Sequence, residues 1–314
     1  MSTTLPKITV VTPSFDQAHY IETTFKSVID QNYPNLEWIV VDGGSTDGTV
    51  DLIKKYEKHF AWWVSERDRN HPHALNKGYE KATGDIFCFV NSDDTLNPGV
   101  LHYVAQKFAD PKVDWVVGWA TYFEDPADQP LNKVKGKPHP AIVGMGDEWP
   151  YPPKAVEKPI DWIVSNPVPQ IASFWRTSVR DKVGLFSEEY LWSFDYEYWQ
   201  RMYFKGGYRP TMCRRNMGGF RLQKHSKTVS KPQNYGPDNE KLTKLYGAML
   251  PPDQKARLKR EQQKKANRLI RDKAWLALKM GNQAEAKKHA LSAIAHRFNS
   301  VDAWKAAYAA WRGY

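Results

Sequence analysis

Two cysteines in 314 residues, Cys88 and Cys213, are too few for a disulfide framework and form no metal-binding pattern. Reduced thiols in a cytosolic setting follow as the expectation. No apolar run approaches the ~18 residues that a spanning helix needs, and the stretch before the first apolar run, up to Lys7, is too short and polar for a signal peptide. The chain therefore reads as a soluble cytoplasmic protein, at most peripheral to a membrane. Glycine-rich phosphate loops are missing as well: Asp42-Gly43-Gly44-Ser45-Thr46-Asp47 fits neither the Walker pattern nor GxGxxG.

Aromatics and positive charge are in good supply. Thirteen Trp, 16 Tyr and 13 Phe suit either a core or loops that line a sugar site, and the core is the expected place for most of them. The formal net charge is +10, which suggests an anionic partner, and its location matters more than its size. Between Pro251 and Met280 ten basic residues face three acidic ones, a local excess of +7. Most of the positive charge thus belongs to one predicted helical segment near the C-terminus.

The first half alternates strand and helix. Ile8–Val11, Glu37–Val41, Trp62–Val64 and Ile86–Val90 are strand-like runs, and amphipathic helices are predicted around Ile21–Ile29, Val50–Tyr56 and His73–Ala82. Alternation at this spacing predicts parallel βαβ units whose strand ends share one edge. From Glu124 to Pro169 the chain is rich in Pro, Gly and charge and predicts a long functional loop or lid. A strand at Gln170–Trp175 and a helix carrying Asp195, Tyr198, Trp199 and Met202 follow, the helix ending at Gly206-Gly207. After Leu242 the pattern is helical, with Ala286, Ala290, Ile294, Trp304 and Ala307 resembling a tetratricopeptide-like hairpin.

Asn91-Ser92-Asp93-Asp94 directly follows the fourth strand. Two carboxylates at a strand's carboxyl end lie where open α/β sheets put their ligands. Side by side they repel unless a cation neutralises them. Hard oxygen ligands of this kind suit Mg²⁺ or Mn²⁺, which use one or two carboxylates plus substrate phosphates. A solvated acidic turn, or the cap of a helix begun near Pro98, is the alternative reading.

In order along the chain, Val10-Val11-Thr12-Pro13-Ser14-Phe15-Asp16, Val40-Val41-Asp42-Gly43-Gly44-Ser45-Thr46-Asp47, Asn76-Lys77-Gly78, Ala82-Thr83-Gly84-Asp85, Asn91-Ser92-Asp93-Asp94 and Asp195-Tyr196-Glu197-Tyr198-Trp199 resemble the successive motifs of family 2 inverting glycosyltransferases. The match covers roughly residues 7 to 230. It implies a GT-A fold: an α/β, Rossmann-like domain with a mostly parallel central sheet flanked by helices. That domain is expected over 1–235, with 1–120 as the nucleotide-sugar half and 121–235 as the acceptor half. A helical extension is expected over 236–314.

The resemblance also implies roles. Asp94 is expected as the first metal ligand, Asp93 as the second or as a contact to sugar or ribose, and His225 as a ligand that completes the site. Pro13, Ser14, Asp16, Asp42, Gly43, Glu66, His73, Asn76 and Lys77 are expected around the nucleotide sugar, with Asp42 accepting from the base. Ser14 and Asp16 could equally be helix caps, and Asp42 could cap its turn. An inverting transfer needs one general base. Asp195 is the candidate, at a helix start whose dipole would keep it ionised, while Glu197, about 200° around the helix, is a poor substitute. His73 stands where relatives carry Asp, and Phe194 where many carry an acid.

The implied partners are a nucleotide-sugar donor, with uridine ahead of deoxythymidine, and a saccharide or lipid-linked acceptor. The basic segment from Lys255 to Lys279 is expected either to contact an anionic inner membrane face or to be a helical cap with solvated charges. Two other functions share features with the chain. A nucleotidyltransferase would carry a Gly-rich basic loop after its first strand, which Thr12–Gln17 lacks. A nucleic-acid-binding protein would explain the basic C-terminus, but no binding motif accompanies it, so no nucleic acid is expected.

Overall fold

The computed structural model describes residues 5–124, 149–151, 156–223, 226–264, 282–296 and 301–312. The chain divides into two compact units, one up to Tyr246 and another from Gly247. That division falls later than the expected 235/236 boundary. The helix Tyr235–Gly247 buries Leu242 and Tyr246, and Tyr246 stacks on Phe204 and donates to Glu197, both in the first unit.

Strands β1 (Ile8–Ser14), β2 (Leu36–Asp42), β3 (Trp62–Ser65) and β4 (Ile86–Phe89) are mutually parallel in the order β3-β2-β1-β4. Every residue of β1 and β4 is buried, as expected of strands covered on both faces, whose sequences run apolar rather than alternating. Helices α1 (Ile21–Ile29), α2 (Thr49–Tyr56) and α3 (His71–Lys81) make the crossovers. The third helix starts two residues before the expected His73, because Asn70 caps it by accepting from the His73 amide at 2.9 Å and Pro72 opens its first turn.

Beyond β4 the sheet is mixed. After β5 (Thr95–Leu96) and helix α4 (Val100–Phe108) come the long β6 (Trp115–Glu124), β7 (Trp149–Tyr151) and β8 (Ser173–Arg176). β9 (Thr211–Leu222) completes nine strands among the described residues. β8 is antiparallel to both β4 and β6, while β6 and β9 are parallel. The loop expected from Glu124 to Pro169 contains β7 and a short helix, α5 (Asp161–Val164). Residues 125–148 and 152–155 of that segment lie outside the described residues. Gln170–Ala172 is a 3₁₀ turn, so the strand expected from Gln170 begins at Ser173.

After a short α6 (Val179–Val183), α7 (Phe194–Phe204) covers one face of the sheet. Phe87, Phe89, Trp115, Trp175, Phe186 and Trp199 are among the rings buried in that layer. The other face is covered by α1 and α4, with Phe25, Val28, Leu101 and Val104 buried against Val10, Trp38 and Val40. The aromatic-rich composition is thus largely core. At the amino edge of the strands, Glu37 accepts from Thr9 Oγ1, the Thr83 amide and hydroxyl, and Lys7. Burial pushes its carboxyl up, but Lys7 and the threonine donors pull it to about 2.

In the second unit, the helical residues 252–264 form α10, after α8 (Lys227–Ser230) and α9 (Tyr235–Gly247) of the first. α11 (Gln283–His296) and α12 (Val301–Arg312) form a hairpin around Ala286, Ala290, Ala306, Ala307 and Ala310. No helix among the described residues is long and apolar enough to cross a membrane.

Candidate active site

The carboxyl ends of β1, β2 and β3 lie in register, Ser14 beside Asp42 and Asp42 beside Ser65. Asp42 is fully buried and accepts from the Gly44 and Ser45 amides at 3.0 and 2.9 Å and from the Ser65 hydroxyl at 2.7 Å. The turn-capping role is therefore in place. Ser14 Oγ, beside it, is buried with no hydrogen-bond partner among the described residues, the kind of orphan that a ligand can satisfy. Pro13 lies one residue back in β1, paired with Val41. Asp16 takes a left-handed backbone (φ 49°), and its carboxylate accepts from the Thr46 amide, which staples the loops after β1 and β2 together. A Cβ on Gly43 would sit 2.6 Å from Asp68 Oδ2, so glycine there lets the Asp68 carboxyl approach the strand end. Burial raises the Asp68 pKa, with Lys77 and His73 opposing.

The α3 candidates separate in role. Lys77 pairs with Glu66 at 2.7 Å at the rim, and His73 Nδ1 accepts from the Arg69 amide. Asn76 also has a structural role. Its Nδ2 donates to the Phe186 carbonyl and its Oδ1 accepts from the Phe186 amide, both at 2.9 Å. It latches α3 to the segment before α7. On the other side of α3, a Cβ on Gly78 would collide with Val11 at 2.5 Å, so glycine sets the helix close on β1.

Asp93 and Asp94 lie where β4 gives way to a turn. Asp94 is 1% exposed, and accepts from the Arg221 amide at 2.9 Å and Asn91 Nδ2 at 3.1 Å. Asp93 is less buried and accepts from Gln223 Nε2 at 3.2 Å, while Arg221 Nε donates to the Asp93 carbonyl at 2.8 Å. Burial raises both carboxyls, and Asp93 adds to the rise at Asp94. Asp94 is the anchored member of the pair and Asp93 the more open one.

Two close carboxylates held against their preferred ionisation are a donor set that fits a hard divalent cation using one or two carboxylates and substrate phosphates. Among the described residues no group of three His, Cys, Asp or Glu forms a cage, so substrate oxygens or a further ligand would have to complete the coordination. His225, the expected third ligand, lies outside the described residues.

Asp195 sits in the first turn of α7. Burial raises its pKa to about 6, against backbone donors at the helix start and the charge of Lys227. Desolvation is the largest effect on this carboxyl, and the backbone donors of the helix start oppose it. Glu197, two residues on, is tied to Arg201 at 2.8 Å and to the Tyr246 hydroxyl at 3.0 Å.

Several participants were not singled out from the sequence. Arg221 is a buried cation beside the carboxylate pair, its guanidinium 5.0 Å from the Tyr20 ring and 4.6 Å from Phe123. Lys227 is within electrostatic reach of both Asp195 and Asp68. His71 is enclosed beside Phe194, with ring centroids 4.8 Å apart, and burial holds its pKa down at about 3. The only sequence signal for Arg221 was its place at the end of an apolar run, Met217-Gly218-Gly219-Phe220.

A parallel βαβ half with an acidic pair at its carboxyl edge, followed by a mixed half that supplies Asp195, is the architecture of GT-A glycosyltransferases. Solved structures agree. S. aureus TarS 1–349 in complex with UDP-GlcNAc aligns with a TM-score of 0.60 at 17% identity, covering 92% of this chain and 81% of that one. The mannosyltransferase PcManGT from Pyrobaculum calidifontis, in complex with GDP-Man and Mn²⁺, aligns at 0.56 with 21% identity, covering 99% and 82%. The family model Glycosyl transferase family 2 matches residues 9–182, more than half of the chain, and the chain belongs to that family.

Curated relatives include the putative teichuronic acid biosynthesis glycosyltransferase TuaG of Bacillus subtilis, 42% identical over 28% of this chain and 36% of that protein. Another is the GalNAc(5)-diNAcBac-PP-undecaprenol beta-1,3-glucosyltransferase of Campylobacter jejuni, 29% identical over 33% and 35%. The matched region spans about a third of the length of these relatives.

Proposed function

We propose that the protein is an inverting, metal-dependent glycosyltransferase that moves a sugar from a nucleoside-diphosphate donor to a saccharide or lipid-linked acceptor in polysaccharide or cell-surface glycan synthesis. One observation carries this reading: the Asp93–Asp94 pair at the carboxyl edge of the parallel strands, Asp94 buried and Asp93 partly so, with both carboxyls raised by desolvation. Asp93 and Asp94 would hold Mn²⁺ or Mg²⁺, and the ion would supply charge neutralisation to the departing diphosphate. Ser14, Asp42 and Gly43 line the end of the sheet where the nucleoside would lie, with Asp68 and the Glu66–Lys77 pair at its rim.

Asp195 acts as general base. Its carboxylate takes the proton of the acceptor hydroxyl as that oxygen bonds to the anomeric carbon and the bond to the nucleoside diphosphate breaks, which inverts the configuration. A pKa of about 6 leaves it mainly ionised at pH 7 yet basic enough to take a proton, the compromise a general base needs. Lys227 and Arg221 keep positive charge beside the two acidic centres.

A uridine donor ranks first, a choice in keeping with the UDP-GlcNAc in the TarS complex. GDP- and dTDP-sugars are the comparison donors. The undecaprenol-linked name of the C. jejuni relative favours a lipid-linked acceptor and a peripheral site at the cytoplasmic membrane face. A thermal-shift screen of UDP-, GDP- and dTDP-sugars with and without Mn²⁺ tests the donor reading, since a ligand that binds only the folded state raises its apparent stability. A Mn²⁺-dependent shift with one nucleotide is the expected outcome. No shift with any nucleotide sugar would remove the assignment.

A further inference from the structure

The hairpin of the C-terminal unit is built inside out. α12 turns its alanines inward, Ala306, Ala307 and Ala310 being buried against Ala286 and Ala290 of α11. Its large rings point outward, with Trp304 47% exposed, Tyr308 59% and Trp311 50%. At about 100° per residue these three positions, with Lys305 and Arg312, fall within roughly 120° of helix circumference. Small inward residues explain how the two helices pack closely, but hairpin packing gives no reason for three aromatic rings on the far side. An aromatic–basic face directed at solvent marks an interaction surface.

Charge identifies the kind of partner. From Gly247 onward fifteen Lys and Arg face five Asp and Glu, a net +10. Of the 45 basic and 35 acidic residues in the whole chain, the first unit therefore holds thirty of each and is neutral. All of the protein's net charge belongs to the unit that carries the aromatic face. Lys287 of α11 lies 5.9 Å from the Trp311 ring centroid and Arg312 lies 4.9 Å from that of Tyr308. Two of the three rings thus have a cation at one side. Trp and Tyr beside Lys and Arg is the arrangement found at the headgroup level of a bilayer.

We propose that the α12 face formed by Trp304, Tyr308 and Trp311, with the basic residues around it, docks on an anionic lipid bilayer. The proposal rests on the reading of the acceptor as lipid-linked, and it moves the membrane contact from the basic segment 255–279 to α12. The rings would sink into the headgroup layer while Lys287, Lys305 and Arg312 meet lipid phosphates. The shared positive charge of the unit would make attachment depend on salt.

Co-sedimentation of the full chain with phosphatidylcholine vesicles, with and without phosphatidylglycerol, tests this. The expected result is sedimentation with the anionic vesicles only, reversed by high salt, and a fall of about tenfold or more in vesicle affinity for Tyr308→Ser/Trp311→Ser, which removes apolar area but no charge. The same variant should keep the wild-type thermal shift with nucleotide sugar, which verifies that it folds. Absence of vesicle binding, or binding that the double variant leaves unchanged, would overturn the proposal. Retention on single-stranded DNA that is lost in the double variant would overturn it in favour of a nucleic-acid face. A donor shift without vesicle binding sinks the membrane face and spares the transferase; vesicle binding without any donor shift does the reverse.

Discussion

Glu37 at the amino edge of the central sheet and Asp93, Asp94 and Asp195 at its carboxyl edge are treated in opposite ways. Asp42, also at the carboxyl edge, is held by fixed donors as Glu37 is. At the amino edge, Glu37 is surrounded by Lys7, Thr9 and Thr83 donors that pull its pKa to about 2. At the carboxyl edge, Asp93 and Asp94 are pushed upward by burial, and Asp195, brought there by α7, rises to about 6. Burial raises all four; only Glu37 has enough fixed donors to reverse it. A fold that needs only stability satisfies its buried charges itself. Where it leaves them short of donors, a ligand is the natural supplier, so the contrast locates the site without reference to any relative.

The contrast is broken most severely at Asp195. Asp195→Asn should lower turnover by ~10²–10⁴, the usual range for a positioned general base, with nucleotide-sugar affinity unchanged in a thermal-shift titration. Loss of donor binding instead would move Asp195 into the nucleotide pocket. Asp94→Asn comes next, with a fall of ~10²–10³, the scale of losing one main electrostatic stabiliser, and a loss of the Mn²⁺-dependent part of the donor shift. Wild-type turnover of that variant in a chelator would refute the metal role.

Glu37→Ala should do the reverse: leave the chemistry intact and weaken the fold. It strands Lys7 Nζ, the Thr83 amide and two threonine hydroxyls, and the expected loss is about 2–4 kcal/mol by urea denaturation, discounted because Lys7 is partly exposed. The sign follows from a folded pKa of about 2 against an ordinary 4.5. The wild-type stabilisation is full above pH 4.5 and is lost as pH falls through about 2. Wild type and variant should therefore converge in acid, and a difference that stays constant down to pH 2 would assign the effect to packing instead.

Much of the parallel half was legible because its signals are local. Apolar runs, capping residues and the glycines of Asp42-Gly43-Gly44 and Asn76-Lys77-Gly78 specify strands, turns and close helix approach within a few residues of sequence. The mixed half was not. β6 and β9 pair across 95 to 98 residues, from Val116↔Thr211 to Glu124↔Leu222, and nothing in either stretch alone announces its partner. The same limit applied to the site. Asp93 and Asp94 stood out as a pair, but Arg221 and Gln223 reach them only through the fold. Asn76 carried a motif, and only the position of Phe186 reveals that its side chain also latches α3.

The smallest expected effect is also the sharpest test of the comparison, because it concerns stability at a residue chosen for chemistry. If the carboxyl edge holds charge at the expense of the fold, removing that charge should stabilise the protein. Asp195 has a folded pKa of about 6 and an ordinary value of 3.8. Its penalty is absent below pH 3.8, grows through the interval between the two values, and is complete above about 6. Two pKa units correspond to roughly 3 kcal/mol at 1.36 kcal/mol each, and the gain left after the cost of burying the Asn amide is about 1–2 kcal/mol. Asp195→Asn should therefore be the more stable protein at pH 7.5, in the first unit's unfolding transition, and the less stable one near pH 4, where only the cost of burying the Asn amide, about 1–2 kcal/mol, remains. The same titration should appear in wild-type activity as a rate that falls as pH drops through about 6. If the variant is less stable at pH 7.5, the Asp195 carboxylate is satisfied by the fold like Glu37, and the contrast between the two edges does not extend to α7.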